Sequence, residues 1–461
     1  MRRQAAQAMS GVIDGLLDAV LVRGEGGTAL GVLHAPDAAR AAARAELGLP
    51  VDRPIVLAGH QAEIWHAGIA AKLVAAHELA RRYDAALVWL VPDQDVNEPT
   101  LLSYPAQTHE GRLKRSAWQI DPGAFARPGT PTGCRPPLAP GPTPRVARTE
   151  WPHEIARDGL ERIGLALARQ SGGHSLARQF AHAALELAHD LFGVRVDHVV
   201  LASELARGAA FAMWAERMHR EARACVLSYN AASQASPDAQ VRPLSMGPRW
   251  ELPLWSLTPG APRAAVYADA SLPQNVAPRA LAMTGFARTL LCDAWVMGLG
   301  GERYDHVTRR WLSAWMGTAP LAPGIVASAT LRLPLREGPT PDPARAAASA
   351  WRVHHARHHP RLLGDDDRQR ERDALVRRIA DAPRGSSERR RLFAALRDVL
   401  NAARSQAAPE IDSLQRKALD EHERLRDMDC VLDRTWPFAL HDAGALRAMS
   451  ERVRSAVGAL A

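Results

Sequence analysis

The chain has 461 residues, 47% of them apolar and 23% charged: enough to bury one large core plus an accessory domain, and too ordinary a mixture for wholesale disorder. No run of about 18 apolar residues occurs, which argues against a membrane-spanning helix and for a protein with no membrane partner. The formal charge of +8 rests on 58 basic residues, yet only Lys72, Lys114 and Lys417 are lysines, and the arginines interleave with acids. Such a balance raises the isoelectric point without building a one-sided basic stripe, so nucleic acid is not the expected partner.

Residues 1–22 begin like a secretion signal. Asp14 and Asp18 interrupt the apolar stretch at helical spacing, however, and no small-x-small cleavage site follows, so the segment reads as an amphipathic helix of the mature protein. An Ala/Arg-rich helix is expected from Asp37 to Leu47, closed by Gly48 and Pro50. Pro54–Gln61 (PIVLAGHQ) reads as a buried strand. Gly68–Tyr83 shows helical periodicity, with Ile69, Leu73, Val74, Leu79 and Ala80 on one side. Ala86–Asp95 is a second apolar run that ends in acids. Strand, helix and strand in succession make a βαβ unit of a parallel sheet.

The Pro/Gly-dense stretch of about 121–152 reads as a loop or insertion, because neither a helix nor a central strand tolerates such proline spacing. Residues 153–234 read as mainly helical, with one strand at Val194–Ser203. ELPLWSL and AAVYADA read as short strands and Ala277 to about Met297 as a helix. Gly298–Thr308 reads as a Gly-rich loop before another helix, and Ile325–Leu335 as a strand. Beyond Gly338 the composition turns to Arg, Glu, Asp and Ala. There Ile411, Leu414, Ala418, Leu425, Met428 and Leu432 recur at the three- and four-residue spacing of a helical hairpin or short coiled coil. The expected organisation is a core over 1–340 and a helical/coiled-coil domain over 341–461. The expected fold class is α/β: a Rossmann-like parallel-sheet core with helical insertions and a C-terminal helical arm. Four scattered cysteines (Cys134, Cys225, Cys292, Cys430) without a CxxC pair suit a reducing compartment and a cytoplasmic location.

Three segments could carry chemistry. Gly59-His60-Gln61, with His66 and Gly68, lies between the first strand and its helix, where an open parallel sheet places ligands and a helix N-terminus favours anions. Gly59 would allow a tight backbone turn and Gly68 close approach of the helix to a phosphate, His60 and His66 would donate to that phosphate or stabilise developing charge, and Lys72, one turn into the helix, would reach it. Asp93, Asp95 and Asn97, at the end of the second strand, would hold an amine or, through hard oxygen ligands, Mg²⁺. Asn275 and Arg279, then Gly300, Gly301, Glu302 and Tyr304, form the third group. Arg279 suits a carboxylate fork and Glu302 a base or amine ligand. The His354, His355, His358 and His359 cluster lacks the glutamate of a metalloprotease motif and reads as solvated helix rather than a metal site. Asp365-Asp366-Asp367 and Arg389-Arg390-Arg391 read as surface charge runs.

In order and approximate spacing, Gly59-His60-Gln61-Ala62, Pro92-Asp93-Gln94-Asp95-Val96-Asn97, Ser203-Glu204-Leu205, Ser228-Tyr229-Asn230, Asn275-Val276-Ala277-Pro278-Arg279 and Gly298-Leu299-Gly300-Gly301-Glu302 resemble the cysteine-adding (BshC) family of bacillithiol biosynthesis. The likeness spans about residues 50–335 in scattered blocks. It departs where the family's Gly-Pro-Leu-Tyr-Thr segment is replaced by His66-Ala67-Gly68-Ile69-Ala70, and the acidic motif lacks its histidine. The resemblance implies a ligase that joins cysteine to a glucosaminyl malate-type acceptor, with ATP as a cofactor, a small-molecule substrate, and a homodimer formed through the C-terminal helices. A divergent member that binds without catalysis is the alternative it leaves open.

Overall fold

The computed structural model describes residues 17–25, 31, 33, 36–120, 128–139, 151–317, 321–336 and 342–460. By contacts the chain divides into two units: Met1–Gly111, Arg115–Leu335 and Arg434–Ala461 form the first, and Arg112–Lys114 with Arg336–Asp433 the second. Each is α/β or helical in its own right, and among the described residues no helix is long and apolar enough to cross a membrane.

The strands in chain order are β1 (Leu17–Gly24), β2 (Ile55–Gly59), β3 (Ala86–Val91), β4 (Leu101–Gln107), β5 (Leu113–Gln119), β6 (Trp151–Pro152), β7 (His198–Leu201), β8 (Glu251–Ser256), β9 (Ala264–Tyr267), β10 (Val276–Pro278), β11 (Ala294–Met297) and β12 (Gly324–Leu331). The main sheet has the order β1-β12-β11-β2-β3-β7. Five of its strands, from β12 to the edge strand β7, are parallel, and β1 closes the other edge antiparallel to β12. From β2 the chain steps outward to β3 and β7, then returns to β11 and β12 on the other flank. The strand order therefore reverses between β2 and β11, and a crevice opens there beyond the carboxyl ends of the strands. β8 joins β9 and β10 in a separate small sheet, and β4 pairs with β6.

Fully buried apolar strands are what a parallel sheet covered on both faces requires, and every residue of β3 and β11 is buried. The helix Ala38–Glu46 is started by Asp37, whose side chain accepts from Arg40 N. Its Arg44 is fully buried and reaches Asp293 at 2.7 Å, and the same carboxylate oxygen accepts from Ile55 N at 2.7 Å. One acid thus ties the start of β11 to the start of β2.

Several expectations are corrected. Of the expected N-terminal helix, residues 1–16 lie outside the described residues, and Leu17–Gly24 is a strand. Leucine and valines next to the open edge of β12 gain a hydrogen-bonded ladder that outweighs weak helical periodicity. The single helix expected over 277–297 is instead β10, the short helix Ala280–Phe286, a π-turn at Ala287–Leu291 and the central strand β11. The Gly298–Thr308 loop is the first half of a helix, Leu299–Met316. Within the Pro-dense stretch, 121–127 and 140–150 lie outside the described residues, and 128–139 is irregular apart from a 3-10 turn at Thr132–Cys134.

The helix Ala443–Gly458, expected within a separate helical domain, packs on the Ala67–Arg82 helix and on β1. Its apolar face of Leu446, Met449, Val453 and Val457 is buried and needs that cover. The second unit contains the helices Pro343–Ala356, Asp366–Asp381, Ser387–Gln406 and Ala408–Arg426. Within it, Leu375, Ile379, Ala382 and Leu392 form a small core, and Ala408–Arg426 lies against Pro343–Ala356.

Candidate functional site

A cavity of about 440 Å³ occupies the crevice at the reversal between β2 and β11. Its apolar lining includes Ile69, Leu90, Met283, Trp295, Met297 and Leu299. The polar lining converges from Gly59–Gln61, His66, Lys72, Gln94, Asp95, Thr284, Tyr304, Ser328 and Arg434. A mainly apolar hollow with a few converging polar groups is the form of a small-molecule site. Of the residues expected to act, Gly59, His60, Gln61, His66, Gly68, Lys72, Asp95, Gly300, Gly301 and Tyr304 meet here; Asp93, Asn97, Asn275, Arg279 and Glu302 do not.

The two histidines are set in complementary states. His66 caps the Ala67–Arg82 helix, its Nδ1 accepting from Gly68 N at 3.1 Å. A ring nitrogen that accepts is unprotonated, so the neutral ring carries its proton on Nε2. Burial, helped by nearby His60, pulls its pKa down to about 4, so the ring is neutral at physiological pH. His60 has the opposite arrangement. Its Nε2 lies 3.2 Å from Glu63 Oε1, which can only accept, so Nε2 carries the proton and Nδ1 keeps its lone pair. Burial lowers its pKa as well, with Lys72 adding to the effect and Glu63 opposing it.

Lys72 is 4% exposed. Its ammonium donates to the Gly59 carbonyl and lies 5.5 Å from the centre of the Trp89 ring, and no carboxylate pairs with it among the described residues. Burial without a counter-charge brings its pKa down to about 7, against a weaker upward pull from Glu63. Gln94, 1% exposed, lines the same cavity; among the described residues its Nε2 approaches Met283 Sδ, and its Oε1 has no hydrogen-bond partner. Asp95 accepts from Gln61 Nε2 at 2.9 Å and pairs with Arg263 at 3.2 Å, which fixes the Gln61 amide.

The glycines serve different ends from those expected. A Cβ on Gly59 would fall on the Leu90 carbonyl oxygen, so Gly59 answers to the close approach of β3. At Gly68 the space is taken by the His66 ring and the Ala329 carbonyl. Gly298 and Gly300 face open space instead, at the N-terminus of the 18-residue Leu299–Met316 helix, which has no side-chain cap. The first N–H groups there have no partner within the helix. An uncapped helix N-terminus favours an anion, and it is 298–301, not the first loop, that offers one here.

Beneath that helix, buried Arg288 pairs with Asp305 and, at 2.9 Å, with Glu25, which also takes Arg309 at 2.6 Å. Against the upward pull of burial, a hydrogen bond with Asp305 and the Arg288 and Arg309 guanidiniums hold the Glu25 carboxyl well below its ordinary range, and the network fixes the helix against the end of β1.

The residues outside the cavity have other partners. Asp93 accepts from Ser203 N at 2.8 Å and Ser203 Oγ at 2.5 Å, and burial lifts its pKa to about 6 despite those bonds. Arg279 is buried over the Trp255 ring at 3.8 Å and paired with Glu251 at 2.7 Å, so its fork is occupied. Glu302 pairs with Arg23 at 2.7 Å. Asn97 donates to the Ala62 carbonyl, and Asn275 offers its carbonyl to Leu257 N. Among the described residues no three His, Cys, Asp or Glu side chains form a metal-holding group, and Asp93, Asp95 and Asn97 do not converge as magnesium ligands would.

Arg434 was not foreseen. It reaches the cavity because residues 435–441 run along the first loop: Phe438 N donates to the Trp65 carbonyl at 2.7 Å, and Trp65 lies between Trp89 and Phe438. No local signal marks such a residue. β11 was legible in principle, since Ala294–Met297 is an apolar run bracketed by Asp293 and Gly298.

No protein-family model matches the chain, and no curated protein matches it either.

Proposed function

We propose that the chain is an enzyme of the cysteine-adding ligase type, with a Rossmann-like core, which joins a small amine to an anionic acceptor by forming a carbon–nitrogen bond. The carrying observation is that an uncommitted imidazole nitrogen on His60, a committed donor on His66 and a buried amine on Lys72 line one cavity with an open helix N-terminus.

The helix N-terminus, the two histidines and Gln94 each have a task in that reaction. The N–H groups of Leu299, Gly300 and Gly301 hold the negative charge of the acceptor or of a nucleotide phosphate, with Arg434 at the mouth adding attraction. His60 Nδ1 takes the proton that the attacking nitrogen must lose, and His66 Nε2–H donates to the oxygen that gains charge. Gln94 Oε1 accepts from an N–H or O–H of the substrate and fixes its orientation. The residues fit a nucleotide phosphate, and ATP bound there supplies activation of a carboxyl group.

Titration calorimetry with a non-hydrolysable ATP analogue, and a screen of amine, acid and ATP for ADP or AMP release, test the proposal. Binding and turnover that are abolished by combining His60→Ala with His66→Ala support it. Binding with no turnover for any amine and acid favours the second reading, a non-catalytic metabolite-binding protein. That reading draws on Asp93 and Arg279, both engaged in internal bonds.

A further inference from the structure

We propose that Lys72 is a carbonyl-capturing nucleophile, able to form a Schiff base with a small aldehyde or keto compound whose anionic group is seated at the N-terminus of the Leu299–Met316 helix. This goes beyond the ligase reading and does not depend on it.

The geometry argues for it in three ways. Lys72 is the cavity's only lysine and one of only three in the chain, and it is held with no carboxylate partner among the described residues. Its one hydrogen bond goes to the Gly59 main-chain oxygen, which accepts from a neutral amine as well as from an ammonium. The nitrogen lone pair therefore becomes available without breaking an ion pair. Desolvation in an apolar pocket is a recognised route to a nucleophilic lysine, and the pKa of about 7 accords with it. The cavity also holds what a carbonyl substrate needs. Open N–H groups at 299–301 take its carboxylate or phosphate, His66 Nε2–H polarises the carbonyl oxygen, and the orphaned Gln94 Oε1, itself 1% exposed, accepts from a hydroxyl or amine of the substrate.

The step balances without a further reactant. The amine adds to the carbonyl carbon, the oxygen takes up a proton to give a carbinolamine, and water then leaves as the carbon–nitrogen double bond forms. One water is released per lysine, and nothing is oxidised or reduced. Hydrolysis reverses the step.

The test incubates the full chain with glyoxylate at pH 7 and reduces it with cyanoborohydride, which fixes any imine as a stable secondary amine. Peptide mapping then reads the modification at each lysine. Lys114 and Lys417 are exposed. With its pKa brought down to about 7, Lys72 is about half neutral at pH 7, so it should be labelled at least about tenfold faster than the two exposed lysines. Inorganic phosphate added in excess should slow Lys72 alone, by competing for the helix N-terminus. Labelling spread evenly over the three lysines, or Lys72 reacting only after denaturation, would overturn the proposal. Because both arms use the unmodified protein, the result does not depend on whether a Lys72→Arg variant folds.

Discussion

Lys72 Nζ reaches back across the first turn of its own helix to the Gly59 carbonyl, so the end of β2 and the helix that follows it are joined by one buried amine. This contact puts an ionisable amine in the lining of the cavity, where the sheet order reverses, at a cost in stability that changes with pH.

That cost can be measured. In the folded chain the Lys72 pKa falls from 10.5 to about 7. Between those values the unfolded chain binds the extra proton and the folded one does not, so this group makes stability rise with pH from about 7 to about 10.5. Below pH 7 its burial costs on the order of 3–5 kcal/mol. Lys72→Met should therefore be more stable than the parent at pH 6, with the gap closing by about pH 10.5. Urea unfolding of both proteins across that range checks this; a gap independent of pH would show that Lys72 is not desolvated.

His66 acts as a cap and as a donor, and substitution can separate the two. Asparagine at a helix N-cap accepts from the backbone as His66 Nδ1 does, whereas alanine leaves the Gly68 N–H unmet at a cost of about 0.5–2 kcal/mol. His66→Asn should keep the parent's melting temperature and lose anion or nucleotide affinity; His66→Ala should lose both. Thermal melts and calorimetry on the two variants distinguish the roles. The His66 pKa of about 4, against 6.5 in the unfolded chain, further makes stability fall on acidification between those values.

Gln94→Leu removes an amide whose oxygen has no partner, while leaving a side chain of similar reach. Folding stability should change by no more than about 1 kcal/mol, because no good hydrogen bond is lost. Ligand affinity should drop about tenfold, read by titration. Stability loss with intact binding would place Gln94 in the scaffold.

Arg279→Ala should give the reverse pattern. It leaves Glu251, fully buried, to Arg242 and to the backbone N–H and side chain of Ser245, so a loss of about 2–4 kcal/mol is expected. Ligand affinity should be unchanged, because Arg279 does not line the cavity. A selective loss of binding at unaltered stability would restore the carboxylate-gripping role its sequence suggests.

Gly59→Ala would drive a methyl group into the Leu90 carbonyl and separate β2 from β3. Overpacking of this kind costs roughly 1–3 kcal/mol. The midpoint of unfolding should fall accordingly, even with no ligand present.

Much of the parallel-sheet frame was legible in the sequence. Ile55–Gly59, Ala67–Arg82 and Ala86–Val91 announce themselves because a short apolar run, a 3.6-residue repeat and a second apolar run each reflect a local demand for burial. β11 was hidden because its four residues follow an apolar helical stretch with a single Asp293 between them. Only the empty slot beside β2 makes them a strand. The glycines of 298–301 were visible, yet nothing local tells a loop from the start of a helix when both need an uncapped turn.

By itself the sequence determined that the loop after β2 carries His60 and His66, that Lys72 lies in the helix that follows, and that acids follow the next strand, because these are neighbours along the chain and burial patterns are local. Tertiary structure decided which side chains remain available to a ligand. Asp93 was claimed by Ser203, Arg279 by Glu251 and Glu302 by Arg23, while Gln94 and Arg434 were delivered to the cavity. The reason is physical: a polar group's chemistry depends on its desolvation and its nearest partner, and both are set by residues tens to hundreds of positions away.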